Sequence, residues 1–266
     1  MDRPHIIYNK ATKKYVCWLK IMHKDGTQDE TVLTADRFLG PYTKVREGLR
    51  PLNMSAGDFD LVVAPDGKAY YMFERVHSET IIADLTDDYT DVTGYYSTHF
   101  PHPYPPYVRE ATAHFMRNGK HYLITSGTTG YLPNPSEVAV ADTWHGPYTV
   151  LGNPHPGDET DTSYHSQISS VFKVPGKKDL YIAFADRWLP NAMDKDYHVY
   201  KKMFEAIFSG KKEEFDFSSM GEPVVEETRI ADYVWLPLRF AEPCEEYPNG
   251  MVFVDWKDEW RIEDYE

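Results

Sequence analysis

The sequence predicts an all-β fold of repeated four-stranded units, a β-propeller, and three observations carry that expectation. The first is a phrase that returns. Thr34-Ala35-Asp36, three residues, then Gly40-Pro41-Tyr42-Thr43 comes back as Val140-Ala141-Asp142, three residues, then Gly146-Pro147-Tyr148-Thr149. A blurred copy, Ile82-Ala83-Asp84 with Tyr89-Thr90 behind it, lies between them. The outer copies stand about 106 residues apart, so the unit is roughly 50 residues, the length of a propeller blade. The second observation is a tight turn in every unit: Asn9-Lys10-Ala11-Thr12, Asp66-Gly67-Lys68, Asn118-Gly119-Lys120 and Pro175-Gly176-Lys177. Asp-Gly and Asn-Gly supply the positive φ angles that two-residue hairpins require. The third is that an aromatic, β-branched run follows each turn.

Taken in order, each unit opens with an apolar strand, turns, and continues with that aromatic run. The openings are Pro4-His5-Ile6-Ile7-Tyr8, Asp60-Leu61-Val62-Val63, Ala113-His114-Phe115-Met116 and Ile168-Ser169-Ser170-Val171-Phe172. The runs after the turns start at Tyr15, Tyr70, Tyr122 and Leu180. The Ala-Asp phrase then closes a third strand and Tyr-Thr begins a fourth, which completes a blade. In the last unit the third strand is expected at Tyr233 to Leu238 and the fourth at Met251 to Val254, after Asn249-Gly250. Between its halves, residues 194–217 read as a helical insertion, because Tyr200, Phe204, Ile207 and Phe208 recur at helical spacing. The expected organisation is one propeller domain over 1–266, with blades at about 1–50, 54–100, 107–156 and 163–262.

Composition narrows the function classes. A net charge of −14 argues against nucleic acid or an anionic membrane as partner. Two cysteines, Cys17 and Cys244, do not make a disulfide framework. No apolar run is long enough to span a bilayer, and Met1-Asp2-Arg3-Pro4 is not a signal peptide. The expected location is therefore cytoplasmic as written, or secreted or periplasmic if the N-terminus is truncated. Of the eleven histidines, only His99 and His102 have suggestive spacing, in a proline-rich loop without a clustered carboxylate. No metal or other cofactor is expected. No Gly-rich phosphate loop or nucleophile elbow is present either.

The chemistry is expected where the blades open. The first strand of each propeller blade lines the central channel, so polar residues at its start can converge. Asp2 or Arg3, Asp58, Glu110 and Gln167 stand there, at spacings of about 56, 52 and 57 residues that follow the blade period. Two carboxyl groups facing one cavity are the minimum for glycoside hydrolysis, one of them donating a proton to the leaving oxygen. A neighbouring carboxylate raises the donor's pKa, so that it stays protonated near neutrality. The competing reading leaves Asp58 holding a turn with Gly57 and Glu110 paired with Arg109 at the surface. His165, two residues before Gln167, is placed to reach the same pocket.

These motifs resemble glycoside hydrolase family 43, five-bladed propellers that hydrolyse glycosides with inversion. Asp58, ahead of Asp66-Gly67, and Glu110, ahead of Asn118-Gly119, match the family's two acidic signatures. The resemblance implies Glu110 as general acid and Asp58 as the carboxylate that tunes and orients it. Arg3-Pro4, Ser126-Gly127-Thr128-Thr129-Gly130-Tyr131, Ser166-Gln167 and Ala185-Asp186-Arg187-Trp188 are similar to motifs of the exo-β-1,3-galactanase branch. In that branch a Gln replaces the usual base Asp, which implies that Gln167 holds or activates the water. The resemblance further implies that Thr128, Thr129, Gly130 and Tyr131 line the sugar site, with Tyr131 as a stacking platform. Asp2 stands where the branch has a sugar-binding Glu. Four blades are identifiable, and the chain begins where the family's second blade should, so the N-terminal blade is expected to be missing.

The expected activity is release of galactose from β-1,3-galactan, such as arabinogalactan side chains, with an oligo- or polysaccharide as partner. The alternatives are action on an arabinofuranoside, xyloside or galactofuranoside, or a catalytically impaired carbohydrate-binding propeller.

Overall fold

The structure, a computed structural model, describes residues 2–220 and 226–266. It is all-β, and the described strands form four antiparallel four-stranded sheets, the blades of a propeller fold. The chain divides into two compact units, Met1–His102 and Pro103–Glu266, each holding two of the sheets.

In the first unit, β1 (Asp2–Asn9), β2 (Lys14–Met22), β3 (Gln28–Ala35) and β4 (Thr43–Leu49) make one sheet. The second sheet consists of β5 (Ala56–Val63), β6 (Ala69–Arg75), β7 (Glu79–Leu85) and β8 (Val92–His99), also in chain order. Their shared core is aromatic: Trp18, Phe59, Tyr71 and Phe73 are fully buried, and the Tyr71 ring lies 4.8 Å from Trp18 and 4.6 Å from Phe73. Side chains of this size each contribute roughly 2–3 kcal/mol on burial.

The second unit repeats the plan. Its first sheet is β9 (Arg109–Arg117), β10 (Lys120–Gly127), β11 (Glu137–Ala141) and β12 (Thr149–Gly152). Its second is β13 (Gln167–Lys173), β14 (Tyr181–Arg187), β15 (Asp232–Ala241) and β16 (Met251–Val254). Phe115, stacked on Tyr122 at 5.0 Å, joins Tyr181, Val234 and Val252 in the core of this unit. The helix α1 (Tyr197–Phe208) falls inside the expected insertion and is shorter than it. Asp196 caps its N-terminus by accepting from the His198 N–H, and short turns replace the helix beyond Phe208. The buried Tyr200 of α1 donates to the Pro133 carbonyl, which ties the helix to the loop after β10.

Two details differ from the sequence expectation. Tyr89-Thr90 does not begin the fourth strand of its blade. Tyr89 is buried in the turn, where its carbonyl accepts from the Trp18 indole at 2.9 Å, and β8 starts at Val92. The second difference bears on the site. The first strands begin one to four residues ahead of the expected openings at Pro4, Asp60, Ala113 and Ile168, so Asp2, Asp58, Glu110 and Gln167 lie within them, at their starts.

The reason is a bulge that recurs in all four first strands. Asp2 pairs with Lys20, but the next pair is His5 with Trp18, three residues against two. The same skip separates Ala56–Arg75 from Phe59–Phe73, and Glu110–Ser126 from Ala113–Ile124. In β13 it falls between Ile168–Ala185 and Ser170–Phe184. One extra residue per strand bends the strand and re-aims the side chains beside it. The ladder resumes beyond the bulge and so captures the polar residue into the strand. Arg3 and Ala111 stand inside two of these bulges with φ of 47° and 51°, conformations rare outside glycine.

Candidate active site

In the first unit the bulges gather charge. Asp58, nearly buried, meets two cations: Lys20 Nζ at 2.5 Å from Oδ1 and Arg3 Nε at 3.1 Å from Oδ2. Asp2 lies 3.9 Å from the same Lys20 ammonium. Burial works to raise the Asp58 pKa, but Arg3 and then Lys20 outweigh it and hold the carboxyl below its ordinary value. Asp58 is thus a fixed anion. Lys20, for its part, keeps its proton: burial disfavours the charge, and Asp58 more than restores it.

Other acids in this unit are different. Glu30 is fully buried and accepts from the Tyr71 hydroxyl at 2.8 Å; burial pushes its pKa to about 8. Burial also raises Glu74, whose Oε1 lies 2.6 Å from His77 Nδ1. Gly57, beside Asp58, has no room for a side chain, because a Cβ there would fall 2.2 Å from Glu74 Oε2.

In the second unit the bulges gather neutral hydrogen bonds. Gln167 Nε2 donates to Ser126 Oγ at 2.8 Å and to Glu110 Oε1 at 3.3 Å. The Trp188 indole N–H donates to Gln167 Oε1 at 3.2 Å. Ser126 stands directly across the ladder from Glu110, and Asp186 directly across from Gln167. Arg109 Nε lies 3.9 Å from Glu137 Oε1. Arg109 is buried, donating to the Thr125 hydroxyl and carbonyl at 3.0 and 2.7 Å, because neighbouring strand residues point to opposite faces.

Two loops frame this pair. After β10, Asn134 accepts from the Gly127 N–H at 2.6 Å and donates to the Gly127 carbonyl at 2.8 Å. Thr128 and Thr129 are buried, with hydroxyls bonded to the carbonyls of Val108 and Leu132. Their side chains shape the loop, whereas Gly130 and Tyr131 line a small cleft with His165, Gln167 and Trp188. The second loop enters β13 in a left-handed turn, with φ of 55°, 57° and 55° at Ser163, Tyr164 and His165. Such strain persists only where neighbours over-determine it. Here Asp158 accepts from the N–H groups of Thr162 and Tyr164, and Arg187 holds the carbonyls of Tyr164 and His165. His165 is half-buried, and burial lowers its pKa, which favours the neutral imidazole.

The positions expected from sequence therefore form two groups. Glu110 and Gln167 touch, with His165, Gly130 and Tyr131 at the cleft beside Gln167; Asp58 and Asp2 share Lys20. Sequence reading missed Lys20, Ser126, Asn134 and Asp158 as site residues, and Trp188 entered only within the Ala185-Asp186-Arg187-Trp188 motif. Lys20 did carry a signal: it shares a strand face with Val16 and Trp18, so it is a charge at a core position. At the His99 position, the Ser97 hydroxyl lies 2.8 Å from Nε2. Among the described residues no three potential metal ligands come together.

The model of glycosyl hydrolases family 43 matches residues 4–201. The chain belongs to that family. Solved structures agree with the assignment. A family 43 β-1,3-galactosidase superposes with a TM-score of 0.73 at 26% identity, over 99% of this chain and 47% of its own. A second, solved with galactodeoxynojirimycin, gives 0.73 at 25% identity, over 98% of this chain and 77% of its own. An exo-β-1,3-galactanase from Phanerochaete chrysosporium, solved with β-1,3-galactotriose, shares the fold at 21% identity, with a TM-score of 0.67 over 90% of this chain and 46% of its own. This family 43 chain thus spans about half the length of the first of these relatives. No curated protein matches its sequence.

Proposed function

We propose that this family 43 chain is an inverting glycoside hydrolase that acts from chain ends on β-1,3-galactan and releases galactose. One observation carries the reading: Glu110 and Gln167 converge on adjacent blade openings, 3.3 Å apart, and a sugar with its water entering between them would part this contact toward the roughly 6.5–9.5 Å of an inverting site. Glu110 serves as the acid that protonates the leaving oxygen. Gln167 positions the attacking water through the acceptor capacity left on Oε1, since an amide oxygen has two lone pairs and Trp188 uses one. A neutral amide is too weak a base to take a proton from that water, so once the water has added to the anomeric carbon its extra proton passes to solvent, and Glu110 regains its own proton from solvent. Asp58, held as an anion, is the carboxylate that modulates the acid. Tyr131, Gly130, His165 and Asp2 contact sugar, and the two threonines set the loop's shape. Galactose is favoured as the sugar because two relatives bear the name β-1,3-galactosidase and one was solved with a galactose-like iminosugar.

The test is to incubate the protein with β-1,3-galactooligosaccharides and measure free galactose, beside Glu110→Gln. Release by the wild type and loss in the variant are expected. Equal release by both overturns the role of Glu110. Release from arabinofuranosides or xylosides instead changes the sugar. Binding of galactan by both proteins without hydrolysis makes the chain a carbohydrate-binding propeller.

A further inference from the structure

The amide of Gln167 has two ends that differ in chemistry, and its neighbours decide which way it points. An indole N–H can only donate. The Gln167 atom 3.2 Å from Trp188 Nε1 must therefore be the oxygen. That leaves the NH2 group facing Ser126 Oγ at 2.8 Å and Glu110 Oε1 at 3.3 Å. Ser126 would tolerate either end, because a hydroxyl donates and accepts. A protonated Glu110 would also tolerate either end, donating to an amide oxygen or accepting from an amide N–H. Trp188 alone among these partners admits a single orientation.

We propose that Trp188 is a positioning residue that locks the sense of the Gln167 amide, so that Gln167 donates to Glu110. Trp188 follows β14, the strand paired with β13, and its ring meets Tyr131 edge-on at 5.8 Å. The indole thus joins the proposed sugar platform to the amide beside the acid. A donor aimed at Glu110 favours its carboxylate form, while a flipped amide would favour the protonated form. Locking the amide consequently sets the upper pH limit over which Glu110 remains a competent acid. The kinetic consequence rests on Glu110 acting as the acid; the orientation itself does not.

The chain contains only two glutamines, Gln28 and Gln167, which makes the test direct. Side-chain ¹⁵N labelling of glutamine gives two NH2 signals, and Gln28→Asn removes one of them and so assigns the other to Gln167. The Gln167 signal is expected to shift with pH in the wild type and to lose that transition in Glu110→Ala, which adds no third glutamine. Replacing the Trp188 indole with benzothiophene keeps ring size and shape but removes the N–H. In that protein the amplitude of the Gln167 transition is expected to fall by about half or more. Trp188→Phe, a second variant without the N–H, is expected to do the same. An unchanged transition in both variants overturns the proposal, as does a wild-type Gln167 signal that ignores Glu110.

If the wild type releases galactose, the benzothiophene protein should lose about tenfold in kcat with KM within about twofold. Its alkaline limb should move to higher pH, a shift that loss of ring packing alone would not produce. If the wild type releases none, the hydrolase reading fails, and the NMR titration still decides the orientation of the amide.

Discussion

The two units solve one geometric problem in opposite ways. Each first strand carries the same one-residue bulge, and each bulge re-aims a polar side chain. The first unit then fixes its carboxylate with charge, placing Arg3 and Lys20 against Asp58. The second uses neutral donors, placing Trp188 and Ser126 around Gln167, which in turn reaches Glu110. The difference matters chemically. Two cations beside a buried carboxylate keep it ionised, which suits a group that modulates and never gives up a proton. An acid must hold a proton and release it within one turnover, so cations at contact distance would defeat it. A repeat can therefore supply the same backbone device to every blade while each site receives its own electrostatics.

The sharpest way to break this comparison is Glu110→Gln, which should reduce hydrolysis of β-1,3-galactooligosaccharides by about 10²–10⁴-fold while leaving the thermal midpoint nearly unchanged. A loss of comparable size in stability would move Glu110 from chemistry to structure. Lys20→Met comes next. It leaves the buried Asp58 with Arg3 as its remaining cation contact and should cost about 3 kcal/mol in urea unfolding. Adding Asp58→Asn should recover part of that loss; a double variant worse than Lys20→Met would contradict the charge clamp. Gly57→Ala should cost about 2 kcal/mol, because its Cβ meets Glu74 Oε2 at 2.2 Å and that carboxyl is fully buried. Wild-type stability for Gly57→Ala would show that Glu74 can move aside.

Glu30 supplies the most gradual effect, spread over several pH units. Its folded pKa of about 8 lies above the ordinary 4.5, so the folded state binds this proton more tightly than the unfolded state does. Its contribution is fully present below about pH 4.5 and declines as pH rises through about 8. Glu30→Gln should therefore melt increasingly above the wild type between about pH 5 and 8. A gap that stays constant with pH would place the Glu30 titration elsewhere.

Much of this molecule was legible before any coordinates. The Ala-Asp and Gly-Pro-Tyr-Thr repeat set the blade period, and Asp-Gly and Asn-Gly marked hairpins, because these signals act within a few residues. The contact of Glu110 with Gln167 was also within reach, since equal positions on successive blades are brought together by the repeat itself. The bulges were not. Arg3 and Ala111 adopt positive φ without being glycine, so nothing local announces the extra residue. The motif placed Trp188 without its role, because its indole N–H meets an amide 21 residues away across two strands. Asp158 was hidden for a related reason. It acts on backbone N–H groups in a left-handed turn, and neither the turn nor its pinning has a motif.

The central claim is that Glu110 is the acid of an inverting site for β-linked galactose. The most direct measurement follows the anomeric protons by ¹H NMR during the first minutes of β-1,3-galactotriose hydrolysis, with Glu110→Gln alongside. Inversion of a β-linkage predicts that α-galactose appears first and mutarotates later, and that the variant yields neither anomer at a comparable rate. First appearance of β-galactose, or release that survives in Glu110→Gln, would contradict it.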